Sequence, residues 1–352
     1  MKINRRNFLT LTGTAGLGLT TRVSADSGKR EYDLKHPDHF SFVAIGDRTG
    51  RERKGVYGEV MRKINLLNPS LVVSVGDSIE GYTKKVDSIH AQWDEFEELT
   101  SVLRMPLLKA VGNHDMTNET MAEIFKERYG PSYHHYVYKD TLFLFINTED
   151  PTAKEPIETR QKWDKVAAGT FVESARDEEL IALKSKLRAD GYTDLAGIED
   201  YNQQSRDFRS TQISDEQVQY FKEVLAQNDE VRWTFVIMHK RAYLQTTPPK
   251  NWLAIEEMLS DRPYTVFSGH EHRYSHIVRH GRDYINMPPV GGGKKYPPEV
   301  LPGIYDGVLM VHVTDGKPII GVVAMAGFYD KNKAESVHVI PEGESKRIKF
   351  RQ

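Results

Sequence analysis

The 352-residue sequence contains no cysteine. Disulfide bonds, thiolate metal ligands and cysteine nucleophiles are therefore excluded. A metal site in this chain must use histidine, aspartate, glutamate or asparagine side chains. The sequence also lacks an excess of positive charge, because 48 lysines and arginines stand against 50 acidic residues. We therefore expect no general attraction to nucleic acid.

Long hydrophobic runs are missing as well. The most apolar early segment, residues 8–20, is shorter than the roughly 18 residues needed to span a bilayer. It follows the paired Arg5 and Arg6 and precedes a small-residue stretch ending at Ala25. This pattern is typical of a signal peptide over residues 1–25, and the paired arginines predict the twin-arginine export machinery as a partner. A permanent N-terminal anchor is the alternative.

Export would leave a mildly acidic protein. Residues 1–25 hold four positive side chains and no acid, so cleavage changes the formal net charge from −2 to −6. No other segment is apolar enough to cross a membrane, and we predict no membrane span in the mature chain. The expected location is periplasmic or extracellular.

From residue 40 onward, short apolar runs alternate with helical patterns, which is typical of an α/β protein. Helices are predicted over residues 57–67 and 214–227, the second with Ser214 as N-cap and Gln217 completing a capping box. Strand-like runs at 308–313 and 319–324 suggest a second sheet. Buried strands are predicted at 42–45, 71–75, 107–111, 142–146, 235–238 and 264–267.

Residues 150–212 interrupt this alternation, because they are rich in charged side chains and contain no clear strand. They predict an inserted lid or subdomain at the site, or else a solvated helical excursion with no role there. Residues 329–352 are predicted to be a charged C-terminal tail.

Polar side chains follow five of the predicted strands. In open α/β sheets, ligands bind at the carboxyl ends of the strands, so these side chains are expected to meet. Carboxylates, a carboxamide and imidazoles suit one or two Zn, Mn or Fe ions better than Mg or Ca alone. The residues are Asp47, Arg48 and Thr49; Asp77; Asn113, His114 and Asp115; His239; and His270 and His272.

The order of these blocks resembles the calcineurin-like metallophosphoesterase superfamily over residues 41–328. That family has Asp-x-His, Gly-Asp, Gly-Asn-His-Asp/Glu, a lone His and Gly-His-x-His, and four of the five blocks stand intact here. The resemblance implies two stacked mixed β-sheets flanked by helices, with the charged insertion added. It also implies hydrolysis of phosphate esters by a metal-activated water.

The resemblance assigns a role to each block. Asp77 would bridge two metal ions, and His114 would stabilise the developing oxyanion or protonate the leaving oxygen. Asp115 would fix the tautomer and orientation of His114. The first ion would be held by Asp47 and His272, and the second by Asn113, His239 and His270.

The first block departs from the family pattern, because Thr49 stands where the family has a metal-binding histidine. A threonine hydroxyl is a poor ligand beside imidazole, so the first metal position is expected to bind its ion loosely, prefer a harder ion or stay empty. Arg48 either offers a donor fork to a substrate phosphate or is a surface arginine with no role.

The sequence therefore predicts an exported metallophosphoesterase that acts on a phosphorylated small molecule, most simply as a phosphomonoesterase. Two alternatives remain open. One is a phosphodiesterase or nuclease on the same fold, which the lack of basic excess disfavours. The other is a non-catalytic metal- or phosphate-binding protein with a degraded first metal site, which the intact 112–115 block disfavours.

Overall fold

The computed structural model describes residues 38–152, 211–245, 248–294 and 303–327. The predicted signal peptide (1–25), most of the predicted insertion (150–212) and the predicted tail (329–352) lie outside these ranges, so they stay predictions. Within the described ranges, none of the helices has the length and apolar character needed to cross a membrane.

The first sheet has five strands in the order β11-β10-β1-β2-β3. Its parallel half is β1 (Phe40–Ile45), β2 (Leu71–Ser74) and β3 (Leu107–Lys109). Its antiparallel half is β10 (Gly307–Val313) and β11 (Ile319–Ala324). These last two strands were expected to belong to a second sheet, and that expectation is wrong. The chain returns to pair β10 antiparallel with β1 along its whole length, which extends the first sheet instead.

The second sheet has six strands in the order β4-β5-β6-β7-β9-β8. Strands β5, β6, β7 and β9 run parallel, while β4 and β8 are antiparallel edges. Both sheets are therefore mixed, as predicted. The strands are β4 (His134–Tyr138), β5 (Thr141–Ile146), β6 (Trp233–Met238), β7 (Tyr264–Ser268), β8 (Ser275–Arg279) and β9 (Arg282–Asn286).

Helices cover the outer face of each sheet. One hydrophobic core lies between the first sheet and three helices: α1 (Val56–Leu67), α2 (Val86–Thr100) and α3 (Glu119–Tyr129). A separate core joins α4 (Asp215–Gln227) and α5 (Lys250–Met258) to the second. The predicted cap of α4 is present, since the Ser214 hydroxyl accepts a hydrogen bond from the Gln217 amide at 3.3 Å.

The two sheets pack face to face through buried phenylalanines. The ring of Phe42 meets those of Phe143 and Phe235 at centroid distances of 5.2 and 4.8 Å, and Phe235 stacks on Phe267 at 5.7 Å. Each such side chain stabilises the fold by about 2 kcal/mol through burial. The predicted fold class is confirmed, and this contact brings the carboxyl ends of β1, β2, β6 and β7 to one side.

Candidate metal centre

Asp77 lies at the centre of the site. It follows β2 and is buried, with its Oδ2 atom 3.1 Å from His239 Nε2 and its Oδ1 atom accepting a hydrogen bond from the His114 amide at 3.0 Å. Its φ of 57° is unusual for a non-glycine residue. An ideal Cβ at Gly112 would lie 2.1 Å from Asp77 Oδ1, so the next loop reaches the carboxylate only because residue 112 has no side chain.

One ligand set surrounds the amide oxygen of Asn113. This Oδ1 atom lies 3.1 Å from His239 Nε2 and 2.8 Å from His270 Nδ1. Asp77, His239 and His270 each offer a ligand atom, and these atoms lie within 4.8 Å of one another. The structure therefore brings together all four residues expected at the second metal position.

A second set contains Asp47, Asp77 and His272, whose ligand atoms also lie within 4.8 Å of one another. Asp47 Oδ2 is 3.3 Å from His272 Nε2 and accepts the His270 amide at 2.9 Å. Asp47 Oδ1 is buried and has no hydrogen-bond partner among the described residues. A buried, unpartnered carboxylate oxygen costs free energy unless a cation satisfies it, so these residues fit a metal ion.

The carboxylates and imidazoles of the site stabilise each other's charged forms. Burial by itself would raise the pKa of Asp77, but His239 and His114 attract the carboxylate and lower it. Burial would likewise lower the pKa of His239, yet Asp77 and Asp47 raise it to about 9. Liganding imidazoles must be neutral, so bound ions would replace these protons as the positive charge that the carboxylates require.

Backbone carbonyls orient two of the imidazoles. His239 Nδ1 lies 3.1 Å from the Val75 carbonyl oxygen, and His272 Nδ1 lies 2.6 Å from that of Gly293. A carbonyl oxygen only accepts, so each Nδ1 carries a proton, and each Nε2 lies on the side of the carboxylates, where it would give up its own proton to bind an ion. No sequence pattern indicates Val75 or Gly293 in this role, because any residue supplies a carbonyl.

His114 lies beside the ligands, but Asp115 does not orient it as expected. His114 Nδ1 lies 2.7 Å from the carbonyl oxygen of Glu80. The Asp115 carboxylate accepts instead from the backbone amides of Ser78 at 2.8 Å and Gly112 at 2.9 Å. The predicted role of Asp115 is therefore corrected: it ties together the two loops that carry Asp77 and Asn113. Burial and the charge of Asp77 raise the pKa of Asp115 to about 6.

Thr49 is buried and turned to the backbone. Its hydroxyl lies 2.9 Å from the Asp77 carbonyl oxygen and 2.8 Å from that of Ile79. A hydroxyl has one proton, so it donates to one of these oxygens at a time. Thr49 therefore secures the loop after β2, and among the described residues its side chain makes no hydrogen bond to a side chain of the metal ligands.

Arg48 does not face a substrate. It is only 2% exposed, and its guanidinium binds Glu52 at 3.1 Å, Glu95 at 2.8 Å and the Ser78 carbonyl oxygen at 3.0 Å. The expected phosphate contact is wrong, because two carboxylates and a carbonyl already take the donor fork. The surface alternative is wrong as well, since the side chain is buried.

The described ends of the charged insertion lie next to the site. The Gln212 amide donates to the Thr148 carbonyl oxygen at 2.9 Å, and the Asp150 amide donates to that of Gln212 at 3.2 Å. Beside them, Lys240 binds Glu149 in a buried ion pair at 2.7 Å. Lys240 directly follows His239, so residues 149, 150 and 212, which flank the insertion, lie near a metal ligand.

Comparison with known proteins identifies the family. The calcineurin-like phosphoesterase family matches residues 39–274. Among solved structures, a dimetal phosphatase from Danio rerio is 14% identical with a TM-score of 0.47, and the alignment covers 80% of this chain and 98% of that one. A purple acid phosphatase from yellow lupin (Lupinus luteus) seeds is 11% identical with a TM-score of 0.49, covering 83% of this chain and 52% of that one. No protein of curated function is similar in sequence.

The chain belongs to the calcineurin-like phosphoesterase family, as its ordered motifs predicted. Family membership and the two ligand sets support a metal-dependent hydrolase that acts on phosphoesters. The family match ends at residue 274, before β8, whereas the resemblance was expected to extend to residue 328. The domain boundary at 328 stays a prediction.

Proposed function

We propose that this chain is an exported phosphomonoesterase that uses bound metal ions. The observation that carries the proposal is the convergence of two ligand sets that share Asp77, with His114 at their side. The convergence joins loops after strands of both sheets, so it is a property of the whole fold.

The residues around His114 suit a proton donor. Its Nδ1 atom is held by the Glu80 carbonyl oxygen, which leaves Nε2 for the substrate. An ideal Cβ at Gly50 would lie 3.4 Å from His114 Nε2 and 3.0 Å from His272 Nε2, so both nitrogens face one small space. An imidazolium there can give its Nε2 proton to the leaving oxygen. Bound metal ions would supply Lewis acidity and a water of lowered pKa.

Two sequence features favour a small phosphomonoester as the substrate of an exported enzyme. The mature net charge of −6 gives no attraction to a long polyanion such as nucleic acid. The predicted signal peptide would place the enzyme outside the cytoplasm, and such an address favours scavenging of phosphorylated small molecules.

Turnover of a monoester and a diester tests the reaction. We expect the mature chain, supplied with Zn, Mn or Fe, to hydrolyse 4-nitrophenyl phosphate faster than bis(4-nitrophenyl) phosphate. His114→Ala should lower kcat by about 10²- to 10⁴-fold, since it removes the proton donor. His276→Ala is the matched control, because His276 lies on β8 and binds Asp283. Faster diester turnover would favour a diesterase, and metal binding without turnover would favour a binding protein.

Export needs a separate test. Replacing Arg5 and Arg6 together by lysine keeps the charge but removes the paired arginines. We expect the variant to stay in the cytoplasmic fraction while the parent sequence reaches the periplasm. Equal export of both chains would contradict the twin-arginine prediction without affecting the proposed reaction.

A further inference from the structure

Tyr82 contacts both Asn113 and His114. Its hydroxyl accepts a hydrogen bond from Asn113 Nδ2 at 2.8 Å. Its ring meets the His114 ring edge to face, with centroids 4.7 Å apart and planes at 79°. The side chain is nevertheless 41% exposed, so part of the ring faces solvent beside the candidate metal centre.

The backbone holds this side chain in an unusual conformation. Tyr82 has a φ of 50° and Gly81 a φ of 62°, so two successive residues are left-handed. A bulky aromatic residue rarely adopts this conformation, and such strain concentrates at functional sites. An ideal Cβ at residue 81 would lie 1.8 Å from the His114 carbonyl oxygen. Only glycine lets the chain pass this close, and the tight passage delivers the Tyr82 ring to His114.

The hydroxyl of Tyr82 also fixes the amide of Asn113. An amide group presents its oxygen on one side and its nitrogen on the other. Because Nδ2 donates to Tyr82, Oδ1 points to His239 and His270, as a metal ligand must. Without the phenol, Nδ2 loses its hydrogen bond to Tyr82, and the two imidazoles alone orient the amide.

We propose that Tyr82 is a positioning and specificity residue of this site: its hydroxyl orients Asn113, and its exposed ring is the wall against which a flat leaving group packs. The proposal rests on the proposed function, in which His114 gives its proton to the leaving oxygen. The leaving group must then lie next to His114, and the Tyr82 ring offers an apolar surface there. The favoured substrate class is a phosphomonoester whose alcohol carries an aromatic ring.

Two esters of similar chemical reactivity test the ring. Benzyl phosphate and cyclohexylmethyl phosphate are both esters of primary alcohols, and they differ in whether the ring is flat. We expect the wild-type enzyme to prefer the benzyl ester by about three- to tenfold in kcat/KM, mainly through KM, as aromatic pairing predicts. Tyr82→Leu should abolish the preference, and Tyr82→Phe should keep it. Tyr136→Leu, on edge strand β4, is the control for loss of a partly exposed tyrosine.

The hydroxyl is tested by metal retention. Tyr82→Phe should lose a bound ion to a chelator several times faster than the wild type, while its thermal unfolding in the metal-free form stays the same. A structural role for the ring alone would leave the release rate unchanged. An equal release rate in the two proteins would therefore overturn the positioning role.

Binding measurements separate this proposal from the proposed function. Calorimetry with benzylphosphonate and cyclohexylmethylphosphonate measures how tightly each ligand binds, and it needs no turnover. Suppose that neither ester is hydrolysed, but the wild type binds benzylphosphonate more tightly than cyclohexylmethylphosphonate and Tyr82→Leu does not. The proposed function is then wrong, and the packing role of the Tyr82 ring is supported. If both esters are hydrolysed and Tyr82→Leu keeps the wild-type preference, the packing role of the Tyr82 ring is wrong and the proposed function is supported.

Discussion

The two ligand sets differ at the scale of single residues. One set has Asp77, Asn113, His239 and His270, whereas the other, among the residues that the structure describes, has Asp47, Asp77 and His272. Thr49 cannot complete the smaller set, because its hydroxyl is turned to backbone oxygens of the 77–79 loop. Zinc and similar ions take about four ligands, so the smaller set leaves more positions to water.

Metal content should therefore depend on which histidine is removed. We expect His272→Ala to retain one tightly held ion, because the larger set is intact. His239→Ala should retain less metal, and Asp77→Asn should lose both ions since it serves both sets. Elemental analysis after dialysis against a weak chelator measures this. Equal losses from His272→Ala and His239→Ala would contradict unequal sites.

Arg48 has a structural role that predicts a loss of stability. Arg48→Ala removes the guanidinium that the Glu52 carboxylate and the Ser78 carbonyl oxygen both bind, which should lower the free energy of unfolding by about 2–3 kcal/mol. KM should not change, because the guanidinium does not face the substrate. Urea unfolding measures the loss. The control is Arg62→Ala, whose exposed pair with Glu59 should contribute under about 0.5 kcal/mol.

A changed KM in Arg48→Ala, with an unchanged free energy of unfolding, would contradict this role. Arg48→Lys should recover part of the stability only, because an ammonium cannot span two carboxylates and a carbonyl as the planar fork does. The intermediate result would show that the geometry of the donors, and not the charge alone, holds the 47–52 and 77–80 segments together.

At the scale of elements, the sequence predicted what has a local pattern. Buried strands followed by Gly-Asp or Gly-Asn predicted candidate ligands that the structure brings together, because apolar runs and turn glycines carry a local signal. The sheet membership of β10 carries no such signal, since an antiparallel neighbour is chosen by the return path of the chain. The acceptor for His114 is likewise a backbone atom of Glu80, which no side-chain pattern indicates.

Strand β3 and helices α2 and α3 meet around one lysine. Lys109 Nζ lies 3.3 Å from the ring centroid of Tyr129 and within 6 Å of those of Trp93, Phe96 and Phe125. The aromatic faces attract the ammonium, while burial opposes its charge. Burial prevails over the attraction of Asp115 and Glu97 and lowers the pKa of Lys109 from 10.5 to about 8.

This lowered pKa makes the free energy of unfolding depend on pH in the alkaline range. Between about pH 8 and 10.5 the unfolded chain keeps a lysine proton that the folded chain has lost, so raising the pH favours folding by up to about 1.4 kcal/mol per unit. The stability of the wild type relative to Lys109→Met should therefore rise from pH 8 to pH 10. Chemical unfolding at several pH values measures it, and a difference that is flat with pH would contradict the lowered pKa.

At the scale of the whole molecule, the metal centre joins the two sheets. Asp47, Asp77 and Asn113 follow strands of the first sheet, and the liganding histidines follow strands of the second. Without ions, the carboxylates are balanced by imidazoles that must carry protons, as the raised pKa values of His239 and His272 indicate. Bound ions would thus connect two halves that are otherwise held by the phenylalanine core.

Chelation should therefore lower the melting temperature of the whole fold. A ligand at about 100 times its Kd stabilises the folded state by about 2.7 kcal/mol, which for a domain of this size corresponds to about 4–5 °C. We expect a chelator to shift Tm downward by that amount and added Zn or Mn to restore it, in a single transition because the ions span both sheets. Asp77→Asn should melt at one temperature with or without chelator. A chelator-dependent shift that survives in Asp77→Asn would locate the stabilising ion away from this centre.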